Sequence, residues 1–210
     1  MIRVFIADDH TIVRDGIKQI LKQFSDMAVA GEAENGAQLL NSLRTVACDI
    51  VLMDISMPGR NGIEYLKDLK QFQPDLPVLV LSMHPEEHYA LRALKAGAAG
   101  YLTKKSATRE LISAIRKVIG GGKYINTSMA EKIAMELDDY SDKPLHKKLS
   151  DREFQVLRMI ASGNTVTEIA GELNLSVQTI STYRSRILSK MDMKTNADLI
   201  YYAVINKLVE

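Results

Sequence analysis

Four apolar runs of the chain end on residues that can do chemistry: Ala7-Asp8-Asp9, Met53-Asp54, Leu81-Ser82 and Leu102-Thr103-Lys104. Three carboxylates brought to one place repel and cost stability unless a hard divalent cation is bound by their oxygens. Mg²⁺ is the natural ligand of such a set, because it keeps water and takes phosphate oxygens as its remaining ligands. Asp54 is then a candidate nucleophile toward phosphorus. Lys104 would offset charge on the phosphoryl oxygens, and the Ser82 hydroxyl could hydrogen-bond one of them. His10 and His84 lie close by in sequence but have no Cys or further His at ligand spacing, so no role is assigned to them.

These residues can meet only if the chain brings the ends of distant segments together. Apolar runs of strand length cover Arg3 to Ala7, Met27 to Ala33, Asp49 to Met53, Pro77 to Ser82 and Gly100 to Leu102. Between them apolar residues recur at three- and four-residue spacing, as in Leu111, Ile112, Ile115, Val118 and Ile119, which predicts helices. Strands as uniformly apolar as Ile50-Val51-Leu52-Met53 and Val78-Leu79-Val80-Leu81 are buried on both faces, so the sheet is parallel and covered by helices. Five βα units of this kind make a doubly wound α/β domain. In such sheets the reactive crevice lies outside the carboxyl ends of the strands, which is where the acidic residues, the hydroxyl and the amine fall.

The pattern changes after Gly120-Gly121-Gly122, a run that a helix interior does not accommodate. Met129, Ile133 and Leu137 recur every four residues, predicting a short linker helix from Ser128 to Leu137, and the polar stretch from Asp138 to Pro144 then predicts a hinge extending toward residue 148. The domains are therefore expected at 1–121 and 147–210, with a linker over 122–146. The second domain reads as all helix. A helix from Leu149 to Ser162 opens with the capping pair Ser150 and Glu153. A second runs from Thr167 to Leu173, and after the turn Asn174-Leu175-Ser176 a third runs from Val177 to Met191. Helix, short turn, helix is the arrangement that lays its second member in a DNA major groove. On that member Ile180, Tyr183, Ile187 and Met191 share the core side. Gln178, Thr182, Ser185 and Ser189, flanked by Ser181 and Arg186, face the other way, where small polar side chains and Arg reach base edges and phosphates.

Composition narrows the classes further. With 46% hydrophobic and 25% charged residues, the 210-residue chain is globular, and its length suits two modest domains. No run approaches the roughly 18 apolar residues of a membrane span, and acidic residues arrive too early for a secretory signal. A single cysteine, Cys48, rules out an intrachain disulfide and suits a reducing cytoplasm. A net charge of +1 is too small to signal nucleic acid by itself.

The segments A-D-D-H (Ala7 to His10), M-D-I-S-M-P (Met53 to Pro58) with Gly62, L-S (Leu81-Ser82) and G-Y-L-T-K (Gly100 to Lys104) resemble the signature set of bacterial receiver domains over residues 1 to about 120. L-S-D-R-E-F-Q-V-L-R-M-I-A-S-G, T-E-I-A-G-E-L-N-L-S and T-I-S-T-Y-R-S-R-I, within Lys148 to Leu208, resemble the LuxR-type helix-turn-helix of the NarL/FixJ family of response regulators. The resemblance implies a flavodoxin-like receiver whose phosphoacceptor is Asp54. It implies Mg²⁺ held by Asp8, Asp9, Asp54 and the Ser56 carbonyl, Lys104 on the phosphoryl group, and Ser82 with Tyr101 as a switch pair. It implies a sensor histidine kinase as phosphoryl donor, double-stranded promoter DNA as target and a homodimer on DNA. The contacts expected on DNA are Gln178, Thr179, Ser181, Thr182, Arg184, Ser185, Arg186 and Lys190, with Arg184 serving a phosphate or an internal pair. Many members carry Lys where this chain has Ser181 and Ser185, and His where it has Tyr183, so base contacts do not transfer directly.

The expectation is a cytoplasmic transcription regulator and not an enzyme. A magnesium-dependent phosphatase working through an aspartyl-phosphate is the competing class, but it needs a substrate pocket or cap and a second acid/base pair that the chain does not offer. An adaptor whose helical domain docks a protein is the third, and a steep fall of DNA affinity with salt separates it from a DNA binder.

Overall fold

A computed structural model describes residues 1–57, 60–83, 86–125, 130–131 and 144–209. The chain divides into two compact units, Met1–Asp139 and Tyr140–Glu210. All of the expected linker helix from Ser128 to Leu137 except residues 130–131, and most of the hinge, lie outside the described residues, as do Pro58 and His84.

In the N-terminal unit the apolar runs form β1 (Ile2–Ala7), β2 (Met27–Ala33), β3 (Ile50–Asp54), β4 (Val78–Ser82) and β5 (Gly100–Thr103). Between and after them lie α1 (Thr11–Leu21), α2 (Gly36–Ser42), α3 (Gly62–Phe72), α4 (Glu86–Lys95) and α5 (Lys104–Ile119). All pairings are parallel, in the order β2-β1-β3-β4-β5. This is the flavodoxin-like order, with its switch point between β1 and β3. Every residue of β3 and β4 is buried, as a sheet covered on both faces requires. Val4, Ile6, Ile50, Leu52, Leu79 and Leu81 alternate onto one face and join Ile17 and Leu21 of α1 with Leu111, Ile115 and Val118 of α5 in a single core cluster. Each such side chain contributes about 1.5–3 kcal/mol when fully buried. The period of two then sends Met53, Val80 and Tyr101 to the other face.

The chain leaving α5 returns to the sheet. Tyr124 N donates to Ala99 O at 2.9 Å and Tyr101 N donates to Tyr124 O at 3.2 Å, so Tyr124 forms an isolated parallel bridge beside Gly100. Gly100 permits this approach, because a Cβ there would lie 2.6 Å from Tyr124 O.

The described part of the C-terminal unit holds a single 3-10 turn (Leu145–Lys148), followed by α6 (Asp151–Ala161), α7 (Val166–Glu172), α8 (Val177–Met191) and α9 (Asn196–Ile205). Ser150 and Glu153 form the expected capping box. Thr165 with Glu168 and Thr195 with Asp198 form two more, each satisfying the orphan N–H groups of a helix start. A left-handed Asn174 (φ 52°) tightens the turn between α7 and α8, and Asp192 (φ 54°) ends α8. Phe154, Leu157, Ile169, Ile180, Ile187, Leu199 and Ala203 fill the core. Tyr183, expected on the core side of α8, is only half-buried. No helix among the described residues is long and apolar enough to cross a membrane.

Candidate functional site

Asp8 follows β1, Asp54 ends β3, and Lys104 opens α5 directly after β5, so the parallel register delivers all three to one edge of the sheet. Lys104 Nζ lies 2.6 Å from Asp8 Oδ2 and 2.5 Å from Asp54 Oδ2. Asp54 Oδ1 accepts a hydrogen bond from Ser56 N at 2.8 Å, and Asp8 Oδ1 accepts one from His10 N at 2.9 Å. Both carboxylates and the ammonium are almost wholly buried. Burial pushes the Asp54 carboxyl above its ordinary value, against the opposing pull of Lys104. Burial alone would lower the Lys104 pKa, but Asp54 and Asp8 together outweigh it and raise it. The amine therefore stays charged where it faces both carboxylates.

Asp8, Asp9, His10 and Asp54 each present a ligating atom within 4.8 Å of the others. His10 thus joins a cluster in which it was given no part; the signal was its place next to Asp9. Its Nδ1 lies 3.0 Å from Asp9 Oδ1, yet that buried carboxylate oxygen has no well-formed hydrogen bond. Converging acidic oxygens, of which Asp8 Oδ2 and Asp9 Oδ1 lack a formed hydrogen bond, are compatible with Mg²⁺, which takes oxygen ligands. Ser82 and Tyr101 are buried in adjacent strands, where Ser82 pairs with Thr103 and Val80 with Tyr101. Gly62 lets α3 pack back over the end of β3, since a Cβ there would lie 2.6 Å from Ile55 O. Asn61 caps that helix by accepting from Ile63 N at 2.8 Å.

On α8, Gln178, Thr182, Ser185, Arg186 and Lys190 are exposed, while Thr179, Ser181 and Arg184 are partly covered. A groove of about 560 Å³ is lined by Glu153, Thr182, Ser185, Arg186, Ser189 and Lys190. Arg184 Nε donates to Asn196 Oδ1 at 2.5 Å, an internal bond rather than an outward reach. Lys190 Nζ is held 2.6 Å from Glu153 Oε2 while its side chain stays 43% exposed.

Fold, acidic edge and helix pair together define a receiver joined to a helix-turn-helix. Residues 4–116 match the response regulator receiver domain family, and residues 147–203 match the bacterial regulatory proteins of the luxR family. The chain belongs to the two-component response regulators of this NarL/FixJ type, a family of regulators and not an enzyme class. It is 38% identical over 205 residues to the response regulator UvrY of Escherichia coli K12, covering 97% of this chain and 94% of UvrY. It is 37% identical over 212 residues to the response regulator GacA of Pseudomonas aeruginosa, covering 100% and 99% of the two chains. Among solved structures it resembles the RcsB response regulator of Salmonella typhimurium, with a TM-score of 0.72 and 32% identity over 96% of each chain. A second RcsB structure, bound to promoter rprA in the presence of the phosphomimetic BeF₃⁻, gives a TM-score of 0.67 at 32% identity, covering 96% and 97%.

Proposed function

We propose that Asp54 accepts a phosphoryl group from the phosphohistidine of a sensor kinase, and that this controls how the C-terminal unit binds promoter DNA. The observation that carries the reading is Lys104 Nζ between Asp8 and Asp54, a paired charge poised where phosphoryl oxygens would arrive. In the transfer an Asp54 carboxylate oxygen forms a bond to phosphorus while the P–N bond breaks, and the departing imidazole takes up a proton. Asp8, Asp9 and Asp54, with the Ser56 carbonyl, would hold Mg²⁺, which supplies charge neutralisation and orientation for the phosphoryl oxygens. Lys104 exchanges its carboxylate partners for a phosphoryl oxygen. Ser82 donates its hydroxyl to another oxygen, and Tyr101 reorients with it as the switch.

On the DNA side, Thr182 and Ser185 face base edges with Gln178, Thr179 and Ser181 beside them, while Arg186 and Lys190 hold phosphates. Arg184 supports α8 through Asn196. The relatives support this reading, since the RcsB structures are described as bound to promoter DNA and as dimers on DNA. A receiver over 1–121, a linker over 122–146 and a DNA-binding domain over 147–210 then act as a cytoplasmic regulator that dimerises when phosphorylated or DNA-bound. Intact-protein mass after incubation with acetyl phosphate and Mg²⁺ tests the assignment. The unaltered chain gains one phosphoryl group and Asp54→Asn gains none; equal uptake by the variant overturns it.

A further inference from the structure

Arg14 is 6% exposed, at the end of the first turn of α1. Both facts run against ordinary placement. Arginine is almost never buried unless paired, and a cation near a helix N-terminus opposes the helix dipole. Its position is explained by four bonds from one guanidinium. Nη1 donates to Asp8 O at 2.6 Å, and Nε to Glu32 Oε2 at 3.2 Å. Nη2 reaches Glu34 Oε1 at 3.0 Å and Thr11 Oγ1 at 3.3 Å.

The bond to Asp8 O matters because β1 ends at Ala7. Asp8 N still reaches the neighbouring strand through Ala33 O at 3.0 Å, but its carbonyl has left the ladder and needs a donor. Arg14 supplies one, and so fixes the peptide that joins Asp8 to Asp9. Glu32 is in turn engaged by Lys18 at 2.8 Å, which ties the clamp to β2 as well as to α1. Asp8 Oδ2 and Asp9 Oδ1 both lack a formed hydrogen bond, but the Asp8 carboxylate is also fixed by His10 N and the buried Lys104 ammonium, whereas Asp9 Oδ1 faces the exposed His10 ring at 3.0 Å. The direction of the Asp9 carboxylate therefore depends on the backbone that Arg14 holds.

We propose that Arg14 is a positioning residue for the Mg²⁺ site: by gripping the Asp8 carbonyl it sets the angle at which the Asp8 and Asp9 carboxylates converge. The inference rests on the phosphoacceptor reading above. It assigns Arg14 no contact with the ion or the phosphoryl group. The fork is required, because a lysine ammonium is a single point and cannot serve Asp8 O, Thr11 and two carboxylates together.

The test is calorimetric titration of the full chain with Mg²⁺, alongside the thermal midpoint without Mg²⁺. Loss of such supporting contacts weakens metal binding about 10- to 100-fold. Arg14→Gln and Arg14→Lys are each expected to raise the Mg²⁺ dissociation constant about tenfold or more at a temperature where they remain folded. Glu34→Gln, which leaves the Arg14–Asp8 bond in place, is expected to change it by less than about twofold even where its thermal midpoint falls. Should Arg14→Gln fail to fold, the contrast between Arg14→Lys and Glu34→Gln decides. Wild-type affinity in Arg14→Lys, or equal weakening in Glu34→Gln, overturns the positioning role and leaves only a structural one. If the unaltered chain binds no Mg²⁺, or binds it as well after Asp9→Ala, the phosphoacceptor reading fails and this inference with it.

Discussion

Lys190 Nζ lies 2.6 Å from Glu153 Oε2, joining the exposed face of α8 to the first turn of α6. The same Glu153 oxygen accepts from Ser150 N at 2.8 Å, so one carboxylate serves both the helix cap and the groove. Burial raises the Glu153 pKa, but the hydrogen bonds from Lys190 and Ser150 outweigh it and hold the carboxyl below its usual range. A carboxyl lowered on folding stabilises the folded state above its unfolded pKa, and that contribution is lost as pH falls through the folded value. Glu153→Gln is therefore expected to cost about 1–2 kcal/mol at neutral pH, and less as the pH falls below about 4. Thermal unfolding across that range checks this; parallel pH profiles for variant and parent would remove Glu153 as a source of acid sensitivity.

Lys104 is the cation that compensates two buried carboxylates, so its loss leaves them unpaired. Lys104→Ala is expected to destabilise the N-terminal unit by about 3–5 kcal/mol without Mg²⁺. Added Mg²⁺ should recover more of the thermal midpoint in the variant than in the parent, because the ion then relieves a larger repulsion. Equal Mg²⁺ responses would show that Lys104 does not share the site with the ion.

Gly100 and Tyr124 meet too closely for a side chain. Gly100→Ala is expected to push the segment around Tyr124 off β5 and to cost about 1–3 kcal/mol. Hydrogen exchange should then speed up at Tyr124 N and Tyr101 N, the two donors of that bridge. Unchanged protection at both would mean that the segment tolerates the added methyl.

The proposed DNA-facing side of α8 predicts a division of labour. Arg186→Ala is expected to weaken binding similarly across sequences and to lower the salt slope by about 1, whereas Thr182→Ala or Ser185→Ala should change which sequences are selected. A binding-site selection combined with salt titration separates these effects. The reverse pattern would invert the assigned face.

α9 leaves Ile200, Tyr201, Val204 and Ile205 exposed, while Leu199 and Ala203 are buried within its own unit. Val204→Glu should spare the fold and reduce binding to a paired site far more than to a half-site, as a two-fold dimer on DNA requires. Sedimentation on both duplexes reads this out. Equal loss on the two would place the dimer contact elsewhere.

The sequence by itself determined the elements and which residues stand at their ends. Uniform apolar runs such as Val78 to Leu81 implied buried parallel strands, and the strand ends named Asp8, Asp9, Asp54, Ser82 and Lys104. The capping pair at Ser150 and Glu153, and the bounds Val177–Met191, were equally readable, because such signals act over three or four residues and survive in any context. Only the tertiary structure decided which of these residues touch. Lys190 and Glu153 are 37 positions apart, and Arg14 reaches Glu32 and Glu34 across a turn and a strand. An arginine reads as surface by its type, and nothing in its neighbours announces the carbonyl it serves. The apolar residues of α9 likewise looked alike until packing separated Leu199 and Ala203 from Ile200 and Val204. Periodicity records that a side chain is apolar; burial depends on which partner the fold sets against it, and that follows from sheet order and helix docking over distances that local sequence does not encode.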